Sequence, residues 1–224
     1  MVLCIIPARG GSRRIPRKNL LRIGGKPLVV HSIEHGLATY GVDRVIVSTD
    51  DEEIATVSRK AGAEVVIRPT AISHDKATSE SALLHVLDTV GDPDLVVFLQ
   101  PTSPIRRRND IRHAISQLQH ERFDSLFSAC ENNKLLWQSG PKGPRSLNYD
   151  YTKRKREQDF HPEFRENGSI YVFKPSILRK FNNRLGGHIG IYVMPEWASF
   201  QVDQPWECRL IEWLLKQQKR LELG

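Results

Sequence analysis

The first half of the chain alternates short apolar runs with segments of helical spacing. Val2–Ile6 and Leu95–Leu99 are continuous apolar runs, typical of strands that are buried on both faces of a parallel sheet. Leu28–Tyr40 follows Pro27 and carries its apolar residues on one helical face, which predicts a helix. The same patterns predict strands at Val45–Val47, Val65–Ile67 and Ser125–Ala129, and helices at Asp51–Ala61, Ser79–Val90 and from Asn109 or Asp110 to Leu118. We therefore expect an α/β fold with a mostly parallel sheet that is covered by helices on both faces.

The alternation is lost between about residues 131 and 167, where Gly140–Pro144 predicts turns and Lys153–Arg156 is a basic run. Regularity returns with predicted strands at Ser169–Phe173 and Gly190–Met194 and a closing helix at Pro205–Leu221. We interpret residues 1–224 as one domain and residues 131–167 as an excursion within it, because the excursion is too short to be a domain.

The composition is that of a soluble globular protein, with 39% hydrophobic and 26% charged residues in a chain of 224. No apolar stretch approaches the ~20 residues of a membrane-spanning helix, and no signal peptide is recognisable at the start. Cys4, Cys130 and Cys208 share no metal-binding spacing, which favours a reducing compartment over a disulfide framework. We expect a cytoplasmic protein with no membrane partner.

The formal net charge of +7 and the pI of about 9.4 suggest a polyanionic partner. A nucleic-acid-binding surface would interleave basic residues with exposed aromatic side chains. Most aromatic residues here, such as Tyr171, Phe173, Tyr192 and Trp213, instead fall in predicted strands or in the closing helix. This favours a polyanionic small molecule and predicts no nucleic-acid partner, although a basic nucleic-acid-binding protein is the alternative from another class.

The loop Ala8–Asn19 directly follows the first predicted strand and is rich in glycine and basic residues. Gly10 and Gly11 allow the backbone to approach an anion closely, and the surrounding arginines and lysines supply charge-assisted donors. The loop has neither the spacing of a P-loop nor that of a dinucleotide-binding turn. Because ligands of such sheets bind beyond the carboxyl ends of the strands, we predict a phosphate-binding loop.

Several segments in a fixed order carry a resemblance that covers nearly the whole chain. They are Ile5–Ser12 with Ile15–Asn19, Gly24–Leu28, Val47–Asp50, Arg68–Pro69, Leu99–Pro104, Phe164–Tyr171 and Val202–Asp203. In order and spacing they resemble the CMP–sialic acid synthetases (acylneuraminate cytidylyltransferases).

The resemblance implies a three-layer, Rossmann-like fold of the nucleotide-diphospho-sugar transferase type. It also implies a reaction in which the anomeric hydroxyl of a sialic-acid-like 2-keto sugar acid attacks the α-phosphate of CTP and releases pyrophosphate. The acceptor would be of the N-acetylneuraminate, legionaminate or pseudaminate type, and no covalent enzyme intermediate is expected. The excursion at residues 131–167 would form a homodimer interface and lend basic residues to the neighbouring active site.

By the same resemblance, nine residues are expected to bind the nucleotide: Arg9, Gly10, Gly11, Ser12, Arg13, Lys18, Asn19, Arg68 and Ser79. Lys18, Arg9 and Asp203 are the expected catalytic residues, with Lys18 neutralising charge at the α-phosphate. Arg68 and Ser79 would recognise the cytosine. From the residues alone, Arg68 could instead form a surface ion pair. For Ser79 taken alone, capping a helix is the favoured interpretation, and both roles could coexist.

The resemblance also implies a set of sugar-binding residues: Gln100, Ser103, Lys134, Arg156 and Arg165. Among the basic members, Arg165 is favoured for the sugar carboxylate by its place in the segment Phe164–Gly168, which carries the resemblance. An arginine suits a carboxylate because it can bind it through two hydrogen bonds. Of the neighbouring Arg106, Arg107 and Arg108, we expect one at the rim of the site and two on a solvated face.

A magnesium cofactor is implied, and Asp203 is the main candidate ligand. The family usually has two aspartates two residues apart at this point, whereas this chain has Gln201 and Asp203. A glutamine oxygen can also bind a hard cation, so both residues are candidate ligands, and weaker metal binding is expected. Without a metal, Asp203 could cap the helix that begins near Pro205.

The acceptor stays open at this stage. The nearest alternative is a cytidylyltransferase for the eight-carbon sugar acid Kdo or for an 8-amino Kdo analogue. A CTP-binding protein without turnover is a further alternative, because Gln201 replaces an expected carboxylate.

Overall fold

The computed structural model describes residues 1–12, 14–156, 159 and 161–222 of the chain. Its strands are β1 (Val2–Pro7), β2 (Arg22–Ile23), β3 (Lys26–Pro27), β4 (Arg44–Thr49), β5 (Glu64–Ile67), β6 (Leu95–Leu99), β7 (Ser125–Glu131), β8 (Trp137–Gln138), β9 (Arg145–Ser146), β10 (Phe164–Phe173) and β11 (Ile189–Val193). Its helices are α1 (Leu28–Leu37), α2 (Glu52–Lys60), α3 (Ser79–Val90), α4 (Asp110–His120), α5 (Pro175–Phe181) and α6 (Pro205–Leu221).

Within these described ranges, seven strands form the central sheet in the order β11-β7-β10-β6-β1-β4-β5. β10 runs antiparallel to its neighbours β6 and β7, and the other pairs are parallel. The mostly parallel sheet predicted from the sequence is thus confirmed. β1, β4 and β6 run parallel and end at the same edge of the sheet, where ligands of such sheets usually bind.

The sheet is covered on both faces, because successive strand residues point to opposite sides. In β1, Cys4 and Ile6 join the core on the side of α1, α2, α4 and α6. Leu3 and Ile5 point to the other side and join the core that includes side chains of α3 and α5. The expected three-layer arrangement follows directly from this alternation.

Most predicted elements are present, and some of them begin or end at other residues than predicted. α3, α6 and β6 have the predicted bounds, whereas α1 ends at Leu37 rather than at Tyr40. After Leu37 the N–H of Ala38 still bonds to Glu34, but the chain turns at Thr39–Val42 and passes through Gly41, whose φ is +93°. The sequence analysis missed α5 and the two short hairpins β2–β3 and β8–β9.

The strand predicted at Ser169–Phe173 begins five residues earlier, at Phe164. The additional residues pair with the end of β7, Phe164 with Glu131 and Arg165 with Cys130, and the register shifts between Glu166 and Tyr171. The two ends of the excursion are therefore paired with each other, and this pairing extends the central sheet.

Four apolar side chains of the excursion are 44–62% exposed: Leu136, Trp137, Leu147 and Tyr151. Trp137 packs against Tyr149 and Tyr151, with ring centroids 6.0 and 5.3 Å away. The excursion thus presents an aromatic cluster with a partly exposed surface.

None of the helices that the structure describes is both long enough and apolar enough to cross a membrane.

Candidate active site

A cleft of about 460 Å³ lies at the carboxyl ends of β1 and β6. It is lined by Pro7, Arg9, Gly11, Ser12, Lys18, Asn19, Arg68, Asp75, Ala77, Thr78, Ser79, Phe98, Gln100, Pro101, Thr102, Gln201 and Asp203. Most residues predicted to bind the nucleotide are in this set, together with Gln100 and both candidate metal ligands. The fold thus gathers residues from five separate stretches of the chain around one cavity.

The two glycines of the loop after β1 have different surroundings. The N–H of Gly10 donates to Oδ1 of Asp50 at 3.0 Å, so this amide already has a partner. A Cβ on Gly10 would lie 2.6 Å from Oδ2 of Asp51, whereas a Cβ on Gly11 would have no neighbour within 4 Å. Gly10 therefore allows the loop to pack against the start of α2, and Gly11 lines the cleft. Arg13, which was predicted to bind phosphate, lies outside the described residues.

Arg9 and Asn19 lie near the two ends of this loop and are joined by a hydrogen bond. Nη1 of Arg9 lies 2.9 Å from Oδ1 of Asp75 across the cleft. Nδ2 of Asn19 donates to the carbonyl oxygen of Arg9 at 2.9 Å, and Asn19 is buried. Asn19 thereby closes the loop over ten residues, a structural contact that the sequence analysis did not foresee.

Lys18 joins the loop to the segment before α6. Its Nζ donates to the carbonyl oxygen of Val202 at 2.9 Å and to Oδ1 of Asp203 at 3.1 Å. The alternative that Asp203 caps a helix is wrong, because the N-cap of α6 is Gln204, which forms a reciprocal capping box with Glu207. The carboxylate of Asp203 therefore faces Lys18 in the cleft.

Arg68 is buried and lines the cleft, so the alternative that it forms a surface ion pair is wrong. Its Nη2 donates to the carbonyl oxygen of Ser48 at 2.8 Å, and its Nε donates to Oγ of Ser48 at 3.3 Å. Burial lowers the pKa of Arg68, while the nearby carboxylate of Asp50 opposes this shift. The guanidinium is thus held in one orientation by contacts along its inner edge.

Ser79 lines the cleft and is the first residue of α3, but it does not cap the helix. The cap is Thr78, whose Oγ1 accepts a hydrogen bond from the N–H of Ser81 at 3.2 Å. The hydroxyl of Ser79 is consequently available for another partner.

Gln100 lies directly after β6, and its backbone is held by a buried arginine. Arg106 is fully buried and donates to the carbonyl oxygens of Gln100 at 3.1 Å and Ser169 at 2.9 Å. Burial lowers the pKa of Arg106 to about 10. The expectation that these arginines lie at the rim or on a solvated face is wrong for Arg106, and Arg107 is half-buried against Asp110 at 2.8 Å.

The other predicted sugar-binding residues do not line the cleft of this chain. Ser103 is fully buried, and its Oγ donates to the carbonyl oxygen of Asn167 at 3.3 Å. On the excursion, Arg156 pairs with Asp159. The remaining two are also on the excursion. Nη2 of Arg165 contacts Sγ of Cys130 at 3.2 Å, and Lys134 lines a second cavity, of about 660 Å³, beside β11.

Asn167 lies in the segment Phe164–Tyr171 and supports the site, although no role was predicted for it. It is 1% exposed and contacts Ser128, Ser169, Ser199 and Gln201 through hydrogen bonds. The local signal for such a role was an asparagine followed by glycine, but the partners of Asn167 at Ser128, Ser199 and Gln201 are distant in sequence.

Two solved structures share the α/β fold that carries this cleft. A CMP:2-keto-3-deoxy-manno-octonic acid synthetase solved in complex with CTP superposes with a TM-score of 0.75 at 19% identity, covering 97% of this chain and 99% of that chain. The 4-diphosphocytidyl-2C-methyl-D-erythritol synthase of Anaerococcus prevotii gives a TM-score of 0.68 at 12% identity, with 96% of both chains covered. At these identities the likeness establishes the fold.

The chain belongs to the cytidylyltransferase family, whose sequence model, described as "Cytidylyltransferase", matches residues 3–223. It is 30% identical to the N-acylneuraminate cytidylyltransferase of Escherichia coli over 216 residues, which are 93% of this chain and 51% of the relative. It is also 30% identical to the pseudaminic acid cytidylyltransferase of Campylobacter jejuni over 209 residues, 90% of each chain. N-acylneuraminate cytidylyltransferase B of Danio rerio is 30% identical over 98% of this chain and 51% of its own length. This chain thus spans about half the length of several curated relatives it matches.

Proposed function

We propose that this chain transfers CMP from CTP to the anomeric hydroxyl of a sialic-acid-like 2-keto sugar acid, with release of pyrophosphate. The observation that carries the proposal is the pairing of Lys18 with Asp203 in a cleft that also contains Arg9 and Arg68. Family membership supports the cytidylyl transfer, and the similarity to sialic acid and pseudaminic acid enzymes supports an acidic nine-carbon acceptor.

The triphosphate would lie along the loop after β1. Arg9, Ser12 and Lys18 line the cleft with donors suited to phosphate oxygens, and the backbone at Gly11 is open to it. Within the cleft Arg9 pairs with Asp75 and Lys18 pairs with Asp203. Phosphate oxygens would compete for these two cations, and Lys18 would stabilise the charge that develops at the α-phosphate. Catalysis would rest on positioning and charge neutralisation, with direct attack by the sugar hydroxyl.

The cytosine would be recognised by Arg68 and Ser79. Cytosine offers acceptors at O2 and N3 and a donor at N4, so a fixed guanidinium and a free hydroxyl match it chemically. The contacts of Arg68 with Ser48 orient the guanidinium before the base arrives, which reduces the entropic cost of binding.

We further propose that Mg²⁺ is bound by Asp203 together with phosphate oxygens of CTP and water. The described residues include no group of three or more His, Cys, Asp or Glu side chains that could hold a metal alone. Mg²⁺ commonly binds through one or two carboxylates and substrate phosphates, and Asp203 at the cleft fits that pattern. When bound, Mg²⁺ would neutralise negative charge on the triphosphate. Gln201, which also lines the cleft, is the second candidate ligand.

The acceptor would contact Gln100, whose backbone is fixed by Arg106. Lys134, Arg156 and Arg165 are outside the cleft of their own chain, so they could serve only the cleft of another copy. We therefore propose a cytoplasmic homodimer in which the exposed aromatic cluster of the excursion supports the interface.

The dimer can be tested by mixing two inactive variants. Lys18→Met damages the cleft, and Arg165→Ala damages the excursion. If each excursion serves the neighbouring cleft, random mixing restores roughly a quarter of the activity, since half of the dimers are mixed and each has one intact site. A monomer in light scattering, or no recovery from mixed subunits, would contradict this arrangement.

The function is tested by measuring pyrophosphate release from CTP and Mg²⁺ with a panel of acids. The panel contains N-acetylneuraminate, legionaminate, pseudaminate, Kdo and 8-amino Kdo. We expect the highest kcat/KM with one of the nine-carbon acids, and the best substrate being an eight-carbon acid would favour the Kdo alternative. Tight CTP binding without turnover of any acid, or salt-sensitive RNA binding without CTP turnover, would contradict the proposal.

A further inference from the structure

The segment that carries Asp203 is attached to Asn167 at two points. Oδ1 of Asn167 accepts hydrogen bonds from Oγ of Ser128 at 2.6 Å and from the N–H of Ser169 at 3.1 Å. These donors fix the orientation of the side-chain amide, so its Nδ2 faces Ser199 and donates to Oγ at 3.0 Å. This is the first attachment point.

The second attachment point is Gln201. Its Nε2 donates to the backbone carbonyl oxygen of Asn167 at 2.5 Å, and this carbonyl also accepts from Oγ of Ser103. Because the partner is a carbonyl oxygen, the group at position 201 must be a hydrogen-bond donor. A carboxylate there would place one acceptor against another in a half-buried site.

Gly168 makes this arrangement possible. Its φ is +66°, and a Cβ would lie 2.7 Å from Nε2 of Gln201 and 2.8 Å from Oε1 of Gln100. The two glutamine side chains, both lining the cleft, thus close over a backbone position that tolerates no side chain. The missing side chain at Gly168 leaves the space in which the amide of Gln201 reaches the carbonyl oxygen of Asn167.

The contacts continue to Asp203. The N–H of Val202 donates to the carbonyl oxygen of Thr102 at 2.8 Å, and its own carbonyl accepts from Lys18. The N–H of Asp203 donates to Glu207. Gln201 is therefore the side-chain link between the buried Asn167 and the carboxylate that faces Lys18.

We propose that Gln201 is a positioning residue, the hydrogen-bond donor that fixes the Gln201–Asp203 segment against Asn167, rather than a neutral replacement for a metal-binding carboxylate. The attachment itself follows from the contacts, whereas its consequence for the metal and the nucleotide rests on the proposed function. The hydrogen bond donated at position 201 holds Asp203 in the cleft. A second carboxylate at position 201 could not donate this hydrogen bond.

The first experiment uses denaturant unfolding of the protein without nucleotide or metal. Gln201→Met removes the donor at similar size without adding charge, and Gln201→Glu replaces the donor with an acceptor. We expect about a tenfold fall in the folding equilibrium constant for Gln201→Met and a larger fall for Gln201→Glu. The matched control is Gln117→Glu. Nε2 of Gln117 also donates to a backbone carbonyl oxygen, that of Ile191 at 3.2 Å, and Gln117 lies outside the cleft. Wild-type stability in Gln201→Glu would overturn the proposal.

The second experiment measures CTP affinity by calorimetry with and without Mg²⁺, at a temperature where all variants are fully folded. We expect Gln201→Met to keep its metal-free CTP affinity within about twofold and to lose most of the gain in affinity that Mg²⁺ gives, since Asp203 is displaced. Gln117→Glu should keep that gain. If Gln201 were a ligand, Gln201→Glu would bind Mg²⁺ more tightly than the wild type, and that result would overturn the proposal. If the wild type itself does not bind CTP, the proposed function fails, and the unfolding experiment alone decides the role of Gln201.

Discussion

The Nζ of Lys18 lies 3.1 Å from Oδ1 of Asp203, although the two residues are 185 positions apart in the sequence. The pair connects the loop after β1 with the segment that precedes α6. Lys18 also donates to the carbonyl oxygen of Val202, so the lysine is oriented in the cleft before a nucleotide binds. A cation held in place beside a carboxylate suits the proposed transfer of CMP from CTP to an acidic sugar, in which negative charge develops at the α-phosphate.

Replacing Lys18 by methionine should lower kcat/KM for CTP by about 100-fold or more, because the variant loses the cation proposed to act at the α-phosphate. Steady-state pyrophosphate release measures this effect. Lys174→Met is the matched control, since Lys174 pairs with Asp124 at 2.7 Å outside the cleft. Similar losses in both variants would show that Lys18 has no special role.

Replacing Arg68 by lysine should reduce the preference for CTP over UTP by about tenfold. A lysine cannot keep both contacts with Ser48 and also present a planar edge to the base. The ratio of kcat/KM for CTP and UTP measures the effect, and Arg44→Lys, at an exposed pair with Glu64, serves as the control. An unchanged CTP-to-UTP ratio in Arg68→Lys would exclude Arg68 from cytosine recognition.

Replacing Gly10 by alanine should destabilise the nucleotide-free protein by about 1–3 kcal/mol, the usual cost of forcing extra volume into a packed site. The new Cβ would lie 2.8 Å from Cβ of Asp51. Gly11→Ala is the control, because its Cβ would meet nothing within 4 Å. Equal unfolding midpoints for the two variants would contradict the packing described for this loop.

The protein should become less stable as the pH falls below about 6.5, partly because of His35. Burial and the positive charge of Arg106 lower the pKa of His35 to about 3, and its Nδ1 has no hydrogen-bond partner among the described residues. With a depressed pKa in the folded state, the unfolded chain binds more protons between pH 6.5 and 3. Stability is therefore complete above pH 6.5 and decreases towards pH 3, by up to about 2 kcal/mol at pH 5.

Urea unfolding across pH 5–8 measures this dependence. His35→Gln should flatten the decrease, whereas His120→Gln, at an exposed position, should leave it unchanged. An identical pH dependence in His35→Gln and the wild type would contradict the assignment to His35.

The sheet could be predicted from the sequence because its strands are short and strongly apolar. Leu95–Leu99 is buried at every position, and periodicity identifies such a run without knowledge of its partners. The same holds for Ser79–Val90, whose apolar positions repeat along one helical face. Elements with weak patterns, such as the two-residue strands, carry no comparable signal.

The residues that line the cleft could be predicted where they cluster along the chain, as in the loop after β1.

Arg106 shows why residues with distant partners could not be predicted. It lies in a run of three arginines that looks solvated, yet it is buried against Ser32 and Ser169, which are 74 and 63 positions away. Partners at such separations are set by strand order, which local pattern does not contain. The donor role of Gln201 escaped notice for the same reason, since its partner is a backbone carbonyl 34 residues earlier.

The central claim, cytidylyl transfer from CTP to an acidic sugar, is tested most directly by identifying the product. The protein is incubated with CTP, Mg²⁺ and each acid of the panel, and ³¹P NMR and mass spectrometry follow the phosphorus. We predict one equivalent of pyrophosphate and a CMP-linked sugar for at least one nine-carbon acid, and about 100-fold slower formation of both products with Lys18→Met. Intact CTP with every acid, under conditions where the protein is folded and binds CTP, would contradict it.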